Sequence, residues 1–156
     1  MRIPAVFLLL SLAAAPVGAQ SLVWEDHTKA ATVLSNVSLV AGLAWDTVES
    51  FRSENRKQAL LRQGLAHGIA FGTTFALKNL IKEPRPCGLD CGKDTDYGMP
   101  SGHTSAAFAS ARGWRYSVAI STGYFRVGAR KHSIRQVVVG ALVGLGSQEV
   151  ANRIVR

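Results

Sequence analysis

The chain is poor in the residues that build metal and redox centres. Its 156 residues include two cysteines, Cys87 and Cys91. A structural metal site needs more soft ligands, and none stand near that pair. Acidic residues are scarce too: 10 Asp and Glu face 18 Lys and Arg, a net charge of +8. No glycine-rich turn follows a strand-like run, which excludes a dinucleotide-binding Rossmann unit. No segment alternates apolar and polar residues over a useful length, so strands are not expected. There is no internal repeat and no low-complexity tract. The most apolar stretches, 30–48, 64–77 and 137–146, are polar-interrupted or short of the ~20 residues needed to cross a bilayer. An exported domain, soluble or peripheral to a membrane, is therefore expected. What remains is 47% apolar and 18% charged. That is too apolar for a disordered tail, and the length is too short for two cores.

The N-terminus reads as an export signal. Arg2 gives a positive start, Val6 to Ala15 an apolar stretch broken by Ser11, and Val17-Gly18-Ala19 a small-residue cleavage site after Pro16. The expected division is a signal peptide over 1–19 and a mature domain over 20–156, periplasmic or extracellular and open to membrane association. In an oxidising compartment Cys87 and Cys91, within Cys-Gly-Leu-Asp-Cys, are expected to close a small disulfide loop.

The mature chain reads as helices. From Asp26 to Glu49, Val33, Val37, Val40, Ala44 and Val48 recur at three- and four-residue steps. Ser53 is placed to cap a second helix that runs to about Lys82 and stops before Pro84. Gly64, Gly68 and Gly72 recur every four residues along it, a stripe expected to admit another helix backbone. After a Pro- and Gly-rich loop to Pro100, Ser101 opens a short helix interrupted at Gly113. A fourth spans Trp114 to Ala129, and a last one starts at His132 or Ser133 and reaches about Val150, with Gly140 and Gly144 for packing. The fold class is all-α, a compact bundle of four to five helices.

Three clusters fall at the ends of these helices. Lys78 and Arg85-Pro86 lie about two helical turns apart, so both cations can face one oxyanion. Pro100-Ser101-Gly102-His103 places a hydroxyl, an unhindered backbone N–H and an imidazole at a helix N-terminus. Arg126, five residues, then His132 adds a further cation and a candidate nucleophile or base. Singly, each cluster also reads as an ordinary helix end or a solvated basic face.

Together, and in this order, Lys-x6-Arg-Pro, Pro-Ser-Gly-His and Arg-x5-His resemble the type 2 phosphatidic acid phosphatase superfamily. That group also includes bacterial acid phosphatases and vanadium-dependent haloperoxidases. The resemblance runs from Lys78 to about Gly146. It implies a helical fold and hydrolysis of a phosphomonoester, on a lipid or a small organic molecule. Lys78, Arg85 and Arg126 would bind the phosphate oxygens, and Ser101 and the Gly102 backbone would complete the cradle. His132 would form a phosphohistidine, and His103 would protonate the departing alcohol and then activate water. No metal or cofactor is implied, because fixed cations neutralise the developing charge.

Two departures stand out. The resemblance puts Ser where this chain has Phe125, and Asp where it has Gln136, one turn after His132. Gln136 can orient the imidazole but brings no negative charge; Asp26, Asp46 or Glu149 are the candidates to supply one from elsewhere. Only 22 residues separate His103 from Arg126, whereas two bilayer crossings need ~40. Two short helices are expected there. The alternatives to a phosphatase are a catalytically silent protein that binds an anion or phospholipid, and a vanadate-dependent haloperoxidase. From Arg112 onward there are eight basic residues and one acid, Glu149. Phosphorylated substrates and anionic lipid surfaces are the expected partners, and nucleic acid is not.

Overall fold

The computed structural model describes residues 28–87 and 97–156. The expected signal peptide, Asp26, His27 and Cys91 lie outside these residues. Among the described residues there are five helices and no strand: α1 Thr28–Arg52, α2 Arg56–Ile81, α3 Gly102–Ser110, α4 Arg115–Gly128 and α5 Ile134–Ile154. The all-α class and the helix count are those expected. The stretch between His103 and Arg126 holds two short helices, α3 with 9 residues and α4 with 14.

Helix ends follow local chemistry. The turn between α1 and α2 is tighter than expected: α1 continues to Arg52, and α2 opens at Asn55 rather than on a Ser53 cap. At its far end Lys82 takes a left-handed conformation, φ 53°, and returns its N–H to the Lys78 carbonyl. Pro84 then prevents resumption. Gly113, at φ +54°, makes the bend between α3 and α4 that a larger residue would resist. α5 starts with a capping box, in which the Ser133 hydroxyl accepts the Gln136 N–H and the Gln136 side chain accepts the Ser133 N–H.

The short α3 is the centre of the molecule. It packs against all four other helices, and six of its nine residues are buried. It lies closest to α5, where a Cβ on Gly140 would stand 2.5 Å from the Ser101 carbonyl oxygen and one on Gly144 2.3 Å from that of Ser105. Only hydrogen fits at either position. The Gly64, Gly68 and Gly72 stripe behaves otherwise. All three are exposed, and a Cβ on any of them would meet nothing within 4 Å. α2 instead turns Ala66, Ala70 and Thr74 inward.

The apolar stripe of α1 is inverted in the same way. Val33, Val37, Val40 and Val48 are exposed, while Ala31, Ser35, Asp46 and Ser50 are buried. Phe71, Phe75 and Leu80 on α2 also face outward. The interior is built from small residues, chiefly Ala66, Ala70, Ala107, Ala109, Ala119, Ala141 and Ala151 around Phe108. Small side chains let helices approach closely, and the large ones are left for the periphery. α1 is also long and apolar enough to cross a membrane by length and composition.

A buried ion pair joins α1 to α4: Arg115 Nη1 lies 2.6 Å from Asp46 Oδ1, with Glu49 3.0 Å from Nη2. Trp45 meets Trp114 edge-on beside it, with ring centroids 5.4 Å apart. Asp46 is therefore committed to Arg115, and Glu149 pairs with Arg153 along α5 at 2.8 Å. Neither of these expected carboxylates serves His132.

Candidate active site

The alternating helices bring the start of α1, the end of α2, the start of α3, the end of α4 and the start of α5 to one end of the bundle. Lys78 sits in the last turn of α2, where its ammonium donates to the Tyr97 carbonyl. Arg85 follows on the strand-free segment after Pro84. Gly102 and His103 open α3, Arg126 lies in the last turn of α4, and His132 stands just before Ser133, the N-cap of α5. These six residues line one cleft of 360 Å³, joined by Thr32 and Asn36 of α1. Three clusters separated in sequence thus share one cavity.

The cleft is strongly electropositive. Arg126 is 4% exposed and His132 2%. The His132 pKa is lowered to about 2, first by burial and then by the positive charges of Arg126, Arg85 and Lys78. The ring is neutral at any ordinary pH. It also lies within the field of all three cations.

The orientation of His132 is fixed by groups whose roles admit one assignment. The Gly98 carbonyl, 2.9 Å from Nδ1, can only accept. Nδ1 therefore carries the proton, and Nε2 keeps its lone pair. Gln136 Oε1 lies 3.2 Å from the same Nδ1 and accepts the Ser133 N–H at 3.2 Å. Its Nε2 donates to the Pro84 carbonyl at 3.0 Å and to Glu83 Oε1 at 2.8 Å. A backbone N–H on one side and a carbonyl on the other determine which end of the amide is oxygen.

Not every expected residue lines the cleft. Ser101 is fully buried beneath it; its N–H donates to the Gln136 carbonyl at 2.9 Å, and its hydroxyl accepts that of Thr104 at 3.0 Å. It supports the cavity rather than lining it. Gly102 is not forced to be glycine by packing, because a Cβ there would meet only Thr74 Cγ2 at 3.6 Å. Gly98 is forced: a Cβ would lie 2.6 Å from Gln136 Nε2. Cys87 lies on the segment after Arg85, but Cys91 is outside the described residues. His67 is a half-buried α2 residue whose Nε2 lies 3.3 Å from the Ser110 hydroxyl, away from the cleft.

Three contributors escape the sequence reading. Asn36 Oδ1 lies 3.0 Å from His103 Nε2 across 67 positions of chain. Its surroundings, Asn36-Val37-Ser38, carry only an uninformative glycosylation pattern. Glu83 and Gly98 carry no motif at all, and their roles depend on contacts with His132 and Gln136 that are distant in sequence.

No family model matches the chain. A curated relative, the Lipid A 4'-phosphatase of Helicobacter pylori strain J99, is 34% identical over 101 residues, covering 56% of this chain and 48% of the relative. The chain thus spans about half of that relative's length. Two solved structures superpose over nearly all of the chain. LpxE of Aquifex aeolicus gives a TM-score of 0.66 at 18% identity, covering 95% of this chain and 94% of that one. The transmembrane PAP2 type phosphatidylglycerolphosphate phosphatase of Bacillus subtilis gives 0.67 at 17% identity, covering 96% and 92%. The chain shares the all-helical fold of these two structures.

Proposed function

We propose that the protein is a phosphatase of lipid phosphates that works through a phosphohistidine. The observation that carries this reading is the shared cleft of His103, His132, Lys78, Arg85 and Arg126. The three cations hold the phosphate oxygens, with the Gly102 N–H at the α3 N-terminus as a further donor. His132 Nε2 attacks phosphorus through its lone pair as the bond to the leaving alcohol oxygen breaks. His103 gives that oxygen its proton. His103 then takes a proton from water, whose oxygen attacks phosphorus. The P–N bond breaks, releasing inorganic phosphate and neutral His132. The bound anion and the ring's polar partners stabilise the imidazolium character that develops between the two steps.

The outward-facing Val, Leu and Phe side chains of α1 and α2 suit a bilayer, which brings a lipid headgroup to the cleft. A phosphorylated lipid is also the substrate that the Helicobacter relative's name implies for that protein. Export, signal cleavage after Ala19 and a Cys87–Cys91 disulfide belong to the same reading. Mass spectrometry of the mature, unreduced protein tests all three.

The decisive assay uses full-length protein in detergent micelles with phosphatidic acid and with an aryl phosphate. Phosphate release inhibited by orthovanadate is expected, with a loss of at least ~10³-fold in His132→Ala. Undiminished release by that variant would overturn the reading. A silent anion cradle is the second reading, favoured by Gln136 in place of a carboxylate. Absence of turnover in both the natural chain and Gln136→Asp, with vanadate still bound, would establish it.

A further inference from the structure

We infer that Glu83 is a positioning residue for His132, acting through the Gln136 amide; the inference rests on the phosphatase reading above. The sequence leaves His132 without a neighbouring carboxylate, and the fold supplies one at second hand. Gln136 is 1% exposed and has all four hydrogen-bonding positions of its amide filled. On one side Oε1 takes the His132 Nδ1–H and the Ser133 N–H. On the other, Nε2 donates to the Pro84 carbonyl and to the Glu83 carboxylate. An amide that donates to an anion is polarised, and its oxygen becomes a better acceptor. The negative charge of Glu83 is thereby felt at the imidazole one amide away, without a carboxylate touching the ring.

The rest of residue 83 serves the same end. Its backbone carbonyl accepts the Gly98 N–H at 2.7 Å, and the Gly98 carbonyl is the other acceptor of His132 Nδ1–H. Both acceptors on the ring are therefore held by Glu83, one through its side chain and one through its main chain. The competing partner is weak. Arg135 Nη2 lies 3.8 Å from Glu83 Oε2, and its side chain is 70% exposed. A screened pair of that kind contributes little, and it engages the oxygen that Gln136 does not use.

This arrangement makes a prediction that mere structural support would not. Glu83→Gln keeps the shape and an acceptor oxygen but removes the charge. In the natural background we expect kcat to fall roughly tenfold with KM within twofold, since the imidazolium gains most from the charge as it forms. In a Gln136→Asp background the carboxylate touches the ring directly, and Glu83 becomes a second anion crowding the first. There, Glu83→Gln is expected to leave kcat unchanged or to raise it. An equal loss in both backgrounds, or no loss in the natural one, overturns the inference. Circular dichroism and thermal unfolding of each variant establish that it is folded. If Glu83→Gln does not fold, Glu83→Asp, which keeps the charge on a shorter arm, takes its place, with a kcat equal to the natural chain's as the contrary result. If the natural chain hydrolyses nothing, the phosphatase reading falls. The relay is then decided by the His132 Nδ1–H proton resonance, which should move upfield in Glu83→Gln; an unmoved resonance refutes it.

Discussion

His132 Nδ1 donates to the Gly98 carbonyl oxygen at 2.9 Å. Because that oxygen cannot donate, the unprotonated nitrogen is Nε2, the one left for an electrophile in the cleft. Nitrogen-15 spectra of the ligand-free protein should show His132 as the Nδ1–H tautomer, unchanged between pH 8 and pH 5. A ring titrating in that interval would mean that the loop carrying Gly98 does not close over it.

The depressed His132 pKa has a consequence for stability with a definite sign. The unfolded ring takes up a proton near its ordinary pKa of 6.5, whereas the folded ring stays neutral until about 2. Below pH 6.5 the unfolded state binds more protons, so this group's contribution is complete above that pH and lost progressively as pH falls. The slope approaches ~1.4 kcal/mol per pH unit. Unfolding midpoints at pH 7 and pH 5 should therefore differ more for the natural chain than for His132→Asn.

Asn36 reaches His103 at 3.0 Å from the neighbouring helix. If it aims the ring to which the proposed mechanism gives the leaving group's proton, its loss matters most when the leaving group needs one. Asn36→Ala should cost roughly tenfold on an alkyl phosphate and little on an activated aryl phosphate. Equal losses on both substrates would assign Asn36 to binding instead.

Two sets of glycines should answer oppositely to alanine. Gly144→Ala forces a Cβ to 2.3 Å from the Ser105 carbonyl oxygen, and the helices must separate at a cost of about 1–3 kcal/mol. Gly68→Ala enters open space and should stabilise α2 by up to ~1 kcal/mol through helix propensity. Thermal unfolding of the two variants side by side reads both signs.

The buried Arg115–Asp46 pair should be intolerant of half-removal. Arg115→Met leaves Asp46 as an unpartnered anion in the core and should destabilise by about 3–5 kcal/mol. The double variant with Asp46→Leu should recover most of that loss in the same denaturation assay.

These contrasts mark how far the sequence could be read. Helix positions followed from periodicity, caps and Pro84, and the cleft followed from three spaced clusters, because helix ends gather where helices alternate. The faces of α1 and α2 did not follow. A stripe of Val33, Val37 and Val40 reads as a core face under the assumption that water surrounds the protein, and these residues point outward. Glu83 was invisible for another reason. It lies outside the helices and meets Gln136 across 53 positions, and neither periodicity nor spacing carries information about such a contact. Ser101 was legible as part of the cluster, but its depth below the cavity depends on how closely α5 approaches α3.

The central placement of α3 divides the molecule's freedom to vary. Its first two residues line the cleft, and its body is the hub on which every other helix rests. Changes there would disturb chemistry and folding at once. α1 touches the cleft only at Thr32 and Asn36. Variation is thus freer along the first helix than along the third.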